Sequence, residues 1–268
     1  MIMNERFDIN RFWKLVQYET VNYLPNFLKI LLIFASVIAG EWMMSLTLGG
    51  SMVSYSREWL VASLFRLSIA LSPFIIYKNM NNRKKGYIYA MIPASTLEKL
   101  LSMIVLCVVA VPVLSYAVLT CADLLLWLIS KVGIGSFTEI DFYNPFIGDL
   151  AQITYNGNLL IRPFAAFDNI LYLVFIISYS LMFNTIFRNK KILKAVLFNM
   201  AALFTIIVLL SSLIEIIPGF GEDFFERLES MSDLELLKRI LLIYRCACIL
   251  LTAFFLWVTY SRIKKVNY

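Results

Sequence analysis

The sequence predicts an all-α integral membrane protein with six transmembrane helices. The chain is too apolar for an ordinary soluble domain, since 60% of its residues are hydrophobic and only 16% are charged, against about 25% charged residues in typical soluble proteins. The apolar residues also form six long stretches, each close to or above the roughly 20 residues that a helix needs to cross a bilayer. The predicted spans are Phe27–Leu48, Leu60–Tyr77, Leu100–Ile129, Ile170–Phe187, Ile192–Ile217 and Ile240–Tyr260.

The charges of the connecting segments orient the chain. Between Tyr77 and Leu100 five basic residues accompany one acid, and between Phe187 and Ala195 four basic residues accompany none. The segments after the third and fifth spans are acidic instead. Because short loops rich in Lys and Arg stay on the cytoplasmic side, we expect both termini to be cytoplasmic and the protein to lie in the bacterial cytoplasmic membrane.

The net charge of +6 favours contact with anionic lipid headgroups over contact with nucleic acid. The cations gather at the ends of spans and in the cytoplasmic loops, not along one amphipathic face. Anionic lipids of the inner leaflet attract such juxtamembrane cations. We therefore expect membrane lipids among the partners and no nucleic acid.

An amphipathic helix is predicted ahead of the first span. Its apolar face would consist of Ile9, Phe12, Trp13, Val16, Thr20 and Tyr23, and its polar face of Arg11, Lys14, Gln17 and Tyr18. We expect residues 1–26 to lie flat on the inner leaflet, with Pro25 turning the chain into the transmembrane domain of residues 27–268. A plain membrane-anchoring lead-in is the alternative interpretation.

Two of the spans carry further signals. Pro112 predicts a kink in the third span, while small residues in the first span allow another helix to approach closely; these are Ala35, Ser36, Ala39 and Gly40. The four cysteines, Cys107, Cys121, Cys246 and Cys248, all fall within predicted spans, and the chain has no histidine. The usual metal ligand sets therefore cannot be assembled, and no metal site is expected.

The loop between the second and third spans ends in a defined turn. Ser95 and Glu98 form an S-x-x-E capping box that begins a helix, and Pro93 keeps the preceding residue out of helical conformation. The run from Gly86 to Ile92 is apolar and aromatic for a loop, so we expect a partner to cover it. Alternatively, its aromatic residues dip into the membrane interface, as aromatic belts do.

This arrangement resembles the permease subunits of ATP-binding-cassette exporters of the second type, the O-antigen and multidrug exporter-like superfamily. The order of elements is similar over the full chain, and a Tyr-x-x-x-Pro-x-Ser pattern is present in YAMIPASTLEKLL. The resemblance implies a coupling helix that docks on a separate cytoplasmic ATPase, which binds ATP and magnesium, and a second permease copy or paralogue that completes a dimer. The implied coupling residues are Tyr87, Tyr89, Pro93, Ser95, Thr96, Leu97 and Glu98.

The chain itself is not expected to be an enzyme or to hold a cofactor. A Walker phosphate loop needs a Gly-Lys pair, which this sequence lacks, and it has neither a Gly-x-Ser-x-Gly elbow nor histidine. Two other functions stay open. An ATPase-independent carrier would show inverted repeats with broken spans at matching positions, and a non-transporting scaffold or immunity protein would need no ordered coupling loop.

Four ionisable residues lie inside predicted spans, namely Glu41, Arg66, Asp123 and Arg245. Each is roughly five to eight residues from the outer end of its span, a depth of about 8–12 Å. Because an unpaired charge at such a depth is expensive, we expect Glu41 to pair with Arg66 and Asp123 with Arg245. Such pairs would either fix helix packing alone or form a gate or a site for a polar headgroup.

Single cysteines test the predicted orientation. In a cysteine-free background, Asn82→Cys and Asn189→Cys should react only from the cytoplasm, and Ser136→Cys and Ser230→Cys only from outside, because the basic loops are retained inside. The measurement is labelling of intact cells with a membrane-impermeant maleimide. Labelling of Asn82→Cys under these conditions would reverse the orientation.

Overall fold

The computed structural model describes residues 7–47, 54–80, 89, 91–131, 152–155, 158–161, 165–216 and 233–266. Within these ranges the long elements are helices, as predicted, and the remaining regular element is one short β-hairpin. The helices are α1 (Ile9–Thr47), α2 (Ser54–Ile76), α3 (Thr96–Val105), α4 (Val111–Lys131), α5 (Ala165–Ile186), α6 (Lys191–Ile216) and α7 (Asp233–Val266).

Five helical segments are long and apolar enough to cross a membrane, so the chain has the character of a multi-pass membrane protein. They are Ile9–Thr47, Trp59–Ile76, Thr96–Lys131, Phe167–Ile186 and Leu241–Lys265. The other predicted span, Ile192–Ile217, coincides with the 26-residue helix α6. That α6 also crosses the membrane stays a prediction.

Helix α1 corrects the prediction made for Pro25. It is a single helix of 39 residues with Pro25 inside it, so this proline does not turn the chain between an interfacial helix and a span. Phe12 and Leu15 before the proline and Phe27 and Leu31 after it are all buried, and this packing on both sides offsets the hydrogen bond that proline removes. At about 58 Å, α1 exceeds the roughly 30 Å of the hydrocarbon core, and the interfacial position of its first part stays a prediction.

The helix of the third predicted span is irregular where Pro112 predicts it. A π-helical turn, Leu106–Ala110, separates α3 from α4 immediately before Pro112. Proline lacks an N–H group, and its ring clashes with the carbonyl group four residues earlier, that of Val108. The wider π turn accommodates this clash without ending the helix, so Thr96–Lys131 continues as one segment of 36 residues.

The β-hairpin lies in the acidic segment between α4 and α5 and was not predicted. Strands β1 (Gln152–Tyr155) and β2 (Asn158–Ile161) pair antiparallel, with Tyr155 opposite Asn158. The two residues between them in the sequence are Asn156 and Gly157. Asn-Gly between two short apolar runs is the pair most typical of two-residue hairpins, so the signal was present in the sequence.

Two groups of buried side chains hold the helices together. The larger joins α1, α2, α3, α4, α5 and the end of α7 around residues such as Phe27, Ile69 and Met103, which are fully buried. The smaller joins α5, α6 and α7, and it consists of Met182, Phe183, Ala195 and Phe255. Among the described side chains of α6, Ala195 alone is buried.

A lysine ties the start of α6 to the end of α2. The Nζ atom of Lys191 donates hydrogen bonds to the backbone oxygen of Lys78, at 3.2 Å, and to Oδ1 of Asn184, at 2.6 Å. The Nδ2 atom of Asn184 donates in turn to the backbone oxygen of Tyr77, at 3.3 Å. The two basic connections that follow α2 and α5 therefore meet at one end of the bundle.

The start of α1 and the end of α7 lie at that same end. Arg11, near the start of α1, forms an ion pair of 2.9 Å with Glu98 at the start of α3. Ile263, near the end of α7, is buried in the cluster that also contains Tyr77 at the end of α2. The segments predicted to be cytoplasmic thus share one end of the molecule, which we call the inner end.

The Lys191 contact predicts a pH dependence of stability. Burial lowers the pKa of Lys191 to about 8, whereas an unfolded lysine titrates near about 10.4. Between these values the unfolded chain binds more protons, so this group makes stability rise with pH. The melting temperature in detergent should therefore rise more, or fall less, between pH 7.5 and 9.5 in the unmodified protein than in Lys191→Gln. An equal change of the melting temperature in both proteins would contradict a lowered pKa of Lys191.

Candidate functional site

The segment that precedes α3 is anchored by the predicted capping box. Ser95 has an extended backbone, with φ −66° and ψ 159°, and its Oγ atom accepts a hydrogen bond from the backbone N–H of Glu98, at 3.2 Å. The Oε2 atom of Glu98 accepts one from the backbone N–H of Ser95, at 2.8 Å. Both halves of the capping box are present, as predicted, and they set the direction in which the chain enters α3.

The second oxygen of Glu98 connects this turn to the start of α1. Its Oε1 atom accepts hydrogen bonds from the backbone N–H of Asp8, at 2.8 Å, and from Nη2 of Arg11, at 2.9 Å. The Glu98 side chain is completely buried. Glu98 was predicted to contact an ATPase, but its burial makes it a positioning residue that holds α1 and α3 together.

Tyr89 is a second buried anchor. Its ring lies 6.4 Å from that of Tyr77, nearly perpendicular to it, and Nζ of the buried Lys99 lies 5.5 Å from the ring centroid, within cation–π range. Burial, followed by the charge of Glu19, raises the pKa of Tyr89 well above its usual value. Tyr89 therefore stays neutral and fixes the segment from inside. Tyr87, the other predicted tyrosine, lies outside the described residues.

A buried carboxylate lies behind Tyr89, and the sequence analysis missed it. Glu19 of α1 is fully buried, and the Tyr77 hydroxyl group donates a hydrogen bond of 2.8 Å to its Oε2 atom. Lys99 and Ser102 of α3 lie near the same carboxylate. The signal was an acid within the apolar stripe of α1, four residues before Tyr23. An acid at such a position has to find buried partners.

A small cavity adjoins these aromatic residues. It has a volume of about 20 Å³, enough for about one water molecule. Its lining consists of Tyr23, Ile76, Tyr77, Asn79, Met80 and Tyr89. The cavity is too small for a cofactor or a transported substrate.

The exposed surface of the segment around the start of α3 is apolar. Met91 is 75% exposed and Leu97 is 46% exposed, and Pro93 is exposed between them in the sequence. Thr96 is partly exposed, while Ser95 is buried. We call Met91, Pro93 and Leu97 the docking patch. Of the predicted coupling residues, Pro93 and Leu97 are thus exposed. Tyr89, Ser95 and Glu98 are buried and support them.

Arg245 has a different partner from the predicted one. Its Nε atom lies 2.6 Å from Oδ1 of Asp168, and its Nη2 atom 3.1 Å from Oδ2 of the same carboxylate. The prediction of Asp123 as the partner is wrong, because α7 packs mainly against α5, whose first turn contains Asp168. The two-point contact ties these helices together at the end opposite to the inner end.

The predicted pair of Glu41 and Arg66 is not formed in the described part of the chain either. The Oε2 atom of Glu41 is buried without a hydrogen-bond partner. Arg66 and Asp123 each have interactions of their own. The four intramembrane charges therefore do not form the two predicted pairs, because depth along the spans does not determine which helices are neighbours.

Comparisons with known proteins gave no relatives. No protein-family model matches the chain, and neither the curated proteins nor the solved structures include a match.

A double-mutant cycle tests the link between α1 and the docking segment. Arg11→Gln should lower the free energy of unfolding by about 1.5–3 kcal/mol, the range for hydrogen bonds to charged groups. Glu98→Gln should also destabilise the protein. The double variant should lose less stability than the sum of the two single losses, because either single change already breaks the shared contact. The measurement is denaturant unfolding in detergent, with Lys14→Gln as a control that changes an exposed cation. Strict additivity would contradict the coupling.

Proposed function

We propose that this chain is the permease subunit of an ATP-driven exporter of the ATP-binding-cassette type. It would couple a separate cytoplasmic ATPase to the outward movement of an amphipathic or lipid-linked substrate across the bacterial cytoplasmic membrane. The observation that carries the proposal is the docking patch, an exposed apolar surface on a rigidly anchored turn at the basic end of the molecule. The similarity in the order of elements and in the Tyr-x-x-x-Pro-x-Ser pattern supports it.

The docking patch suits transmission of force better than membrane anchoring. Leu97 lies between Ser95 and Glu98, the two members of the capping box, so a push on Leu97 moves α3 as a whole. From α3 the helical segment continues to Lys131 over 36 residues, which is about 54 Å. A displacement at the inner end would therefore reach the far side of the bilayer through one continuous element.

The buried residues Glu98 and Tyr89 also connect the patch to α1 and α2. Glu98 holds the start of α1 through Asp8 and Arg11, and Tyr89 packs on Tyr77 at the end of α2. A partner that binds the patch would thus act on α1, α2 and α3 together. Such concerted movement of packed helices is one way in which transporters alternate between states.

A second copy of the permease would pack against the small-residue face of α1. A Cβ atom added at Gly40 would meet nothing within 4 Å, and Ser36, one turn earlier, is also exposed. Small residues let transmembrane helices approach closely, and of this face Ser36 and Gly40 are exposed among the described residues, whereas Ala39 packs inside the chain. We propose that this face forms part of the dimer interface.

The decisive variant is Leu97→Asp. Because Leu97 is exposed, the change should leave folding and membrane insertion intact while placing a charge where an apolar contact is expected. Copurification of an ATPase from native membranes should fall, and transport with it. Ser95→Ala should have a milder effect, because loss of a helix cap costs about 0.5–2 kcal/mol.

Gln17→Glu is the matched control, since it adds the same charge to an exposed position near the start of α1, outside the patch. It should leave ATPase copurification unchanged. A Leu97→Asp permease that retains the ATPase at the original yield would contradict the docking patch. An unmodified permease that binds no ATPase would favour an ATPase-independent carrier or a non-transporting scaffold or immunity protein.

A further inference from the structure

The inner end of α6 combines exposed cations with an exposed apolar wall. Arg188, Lys190 and Lys194 are all exposed at the start of this helix and in the turn before it. Just beyond them, Leu197 is 56% exposed and Phe198 is 53% exposed. Positive charge therefore adjoins a surface that only an apolar environment satisfies.

The last turns of α7 bring further cations to the same place. Ala195 of α6 is buried with Phe255 of α7, and Phe187 and Val258 pack against this cluster. Arg262 follows Val258 by four residues, so it lies one helical turn beyond the cluster toward the inner end. Arg262 and the neighbouring Lys264 and Lys265 are exposed.

The described acids at the inner end do not neutralise these exposed cations of α6 and α7. Among the residues that the structure describes, the acids there are Asp8, Glu19 and Glu98, which belong to α1 and its preceding residue or to α3. Glu19 and Glu98 are completely buried and engaged with other partners. The Nζ atom of Lys191 donates hydrogen bonds to Lys78 and Asn184, so Lys191 is not counted among these exposed cations.

Lys190 has an unusual backbone conformation. Its φ angle of 50° lies in the left-handed region, which glycine adopts more readily than residues with a Cβ atom. A lysine at this position costs conformational energy that a glycine would avoid. Its side chain is exposed beside Arg188 and Lys194, so the turn keeps a cation where the backbone alone would favour glycine.

We propose that the inner end of α6, together with the last turns of α7, binds an anionic phospholipid of the cytoplasmic leaflet. The phosphate group would lie among Lys190, Lys194 and Arg262, and the acyl chains would lie along the exposed face of α6 at Leu197 and Phe198. A soluble anion would satisfy the cations but not the apolar wall, whereas a phospholipid satisfies both. This proposal is independent of the docking patch and of any ATPase.

The test uses the full-length protein purified in a neutral detergent. Phosphatidylglycerol and phosphatidylcholine with identical acyl chains are titrated, and bound lipid is counted by native mass spectrometry. Phosphatidylglycerol should bind about tenfold more tightly, and the double variant Lys194→Gln/Arg262→Gln should lose about tenfold of that affinity. The charge-preserving variant Lys194→Arg/Arg262→Lys should retain it, which separates the loss of charge from a failure to fold.

The control variant, Lys14→Gln/Lys29→Gln, removes the same net charge from exposed positions of α1 and should leave binding unchanged. Equal loss in the control would overturn the assignment to α6 and α7 in favour of a general charge effect. Equal affinity for the two lipids would also overturn it, as would complete competition by inorganic phosphate at concentrations comparable to those of the lipid. Dissociation of a dimer in the Lys194→Gln/Arg262→Gln variant would instead identify the surface as an interface between copies of this chain.

Discussion

The arrangement of the inner end depends on the carboxylate of Glu98. One of its oxygens completes the capping box of α3, and the other accepts hydrogen bonds from the backbone of Asp8 and from Arg11. A buried carboxylate left without partners is costly, and here the pairings join two parts of the inner end, the start of α1 and the start of α3. The position of the docking patch relative to α1 therefore follows from the requirement to satisfy one buried charge.

The aromatic and charged residues behind the docking segment form a second buried polar cluster. Glu19 is fully buried and its Oε2 atom accepts a hydrogen bond from the Tyr77 hydroxyl group, while Lys99 lies near both Glu19 and the ring of Tyr89. Polar groups with so few partners available fit one arrangement well and others poorly. The cluster thus gives the segment one defined position.

The helices differ in how firmly they are held. Helices α1 to α5 and the end of α7 share one large cluster of buried residues, whereas the described side chains attach α6 through Ala195, Lys191, a hydrogen bond from the Tyr179 hydroxyl group to Asn199, and the ring contact of Phe198 with Phe183. In water such an apolar helix would have to be buried. In a membrane, lipid acyl chains cover an apolar helix as well as side chains do, so an apolar helix with few buried side chains is stable there.

Local sequence patterns were enough to predict an apolar, helical, multi-pass protein and some of its local structure. The length of the apolar stretches, the capping box at Ser95 and the irregularity at Pro112 are signals that act through residues close in the chain. They could not predict that α1 continues through Pro25, that Arg245 pairs with Asp168, or that Glu98 and Glu19 are buried. These outcomes depend on which helices are neighbours and how they are rotated, and apolar stretches of similar composition do not encode that choice in any local pattern.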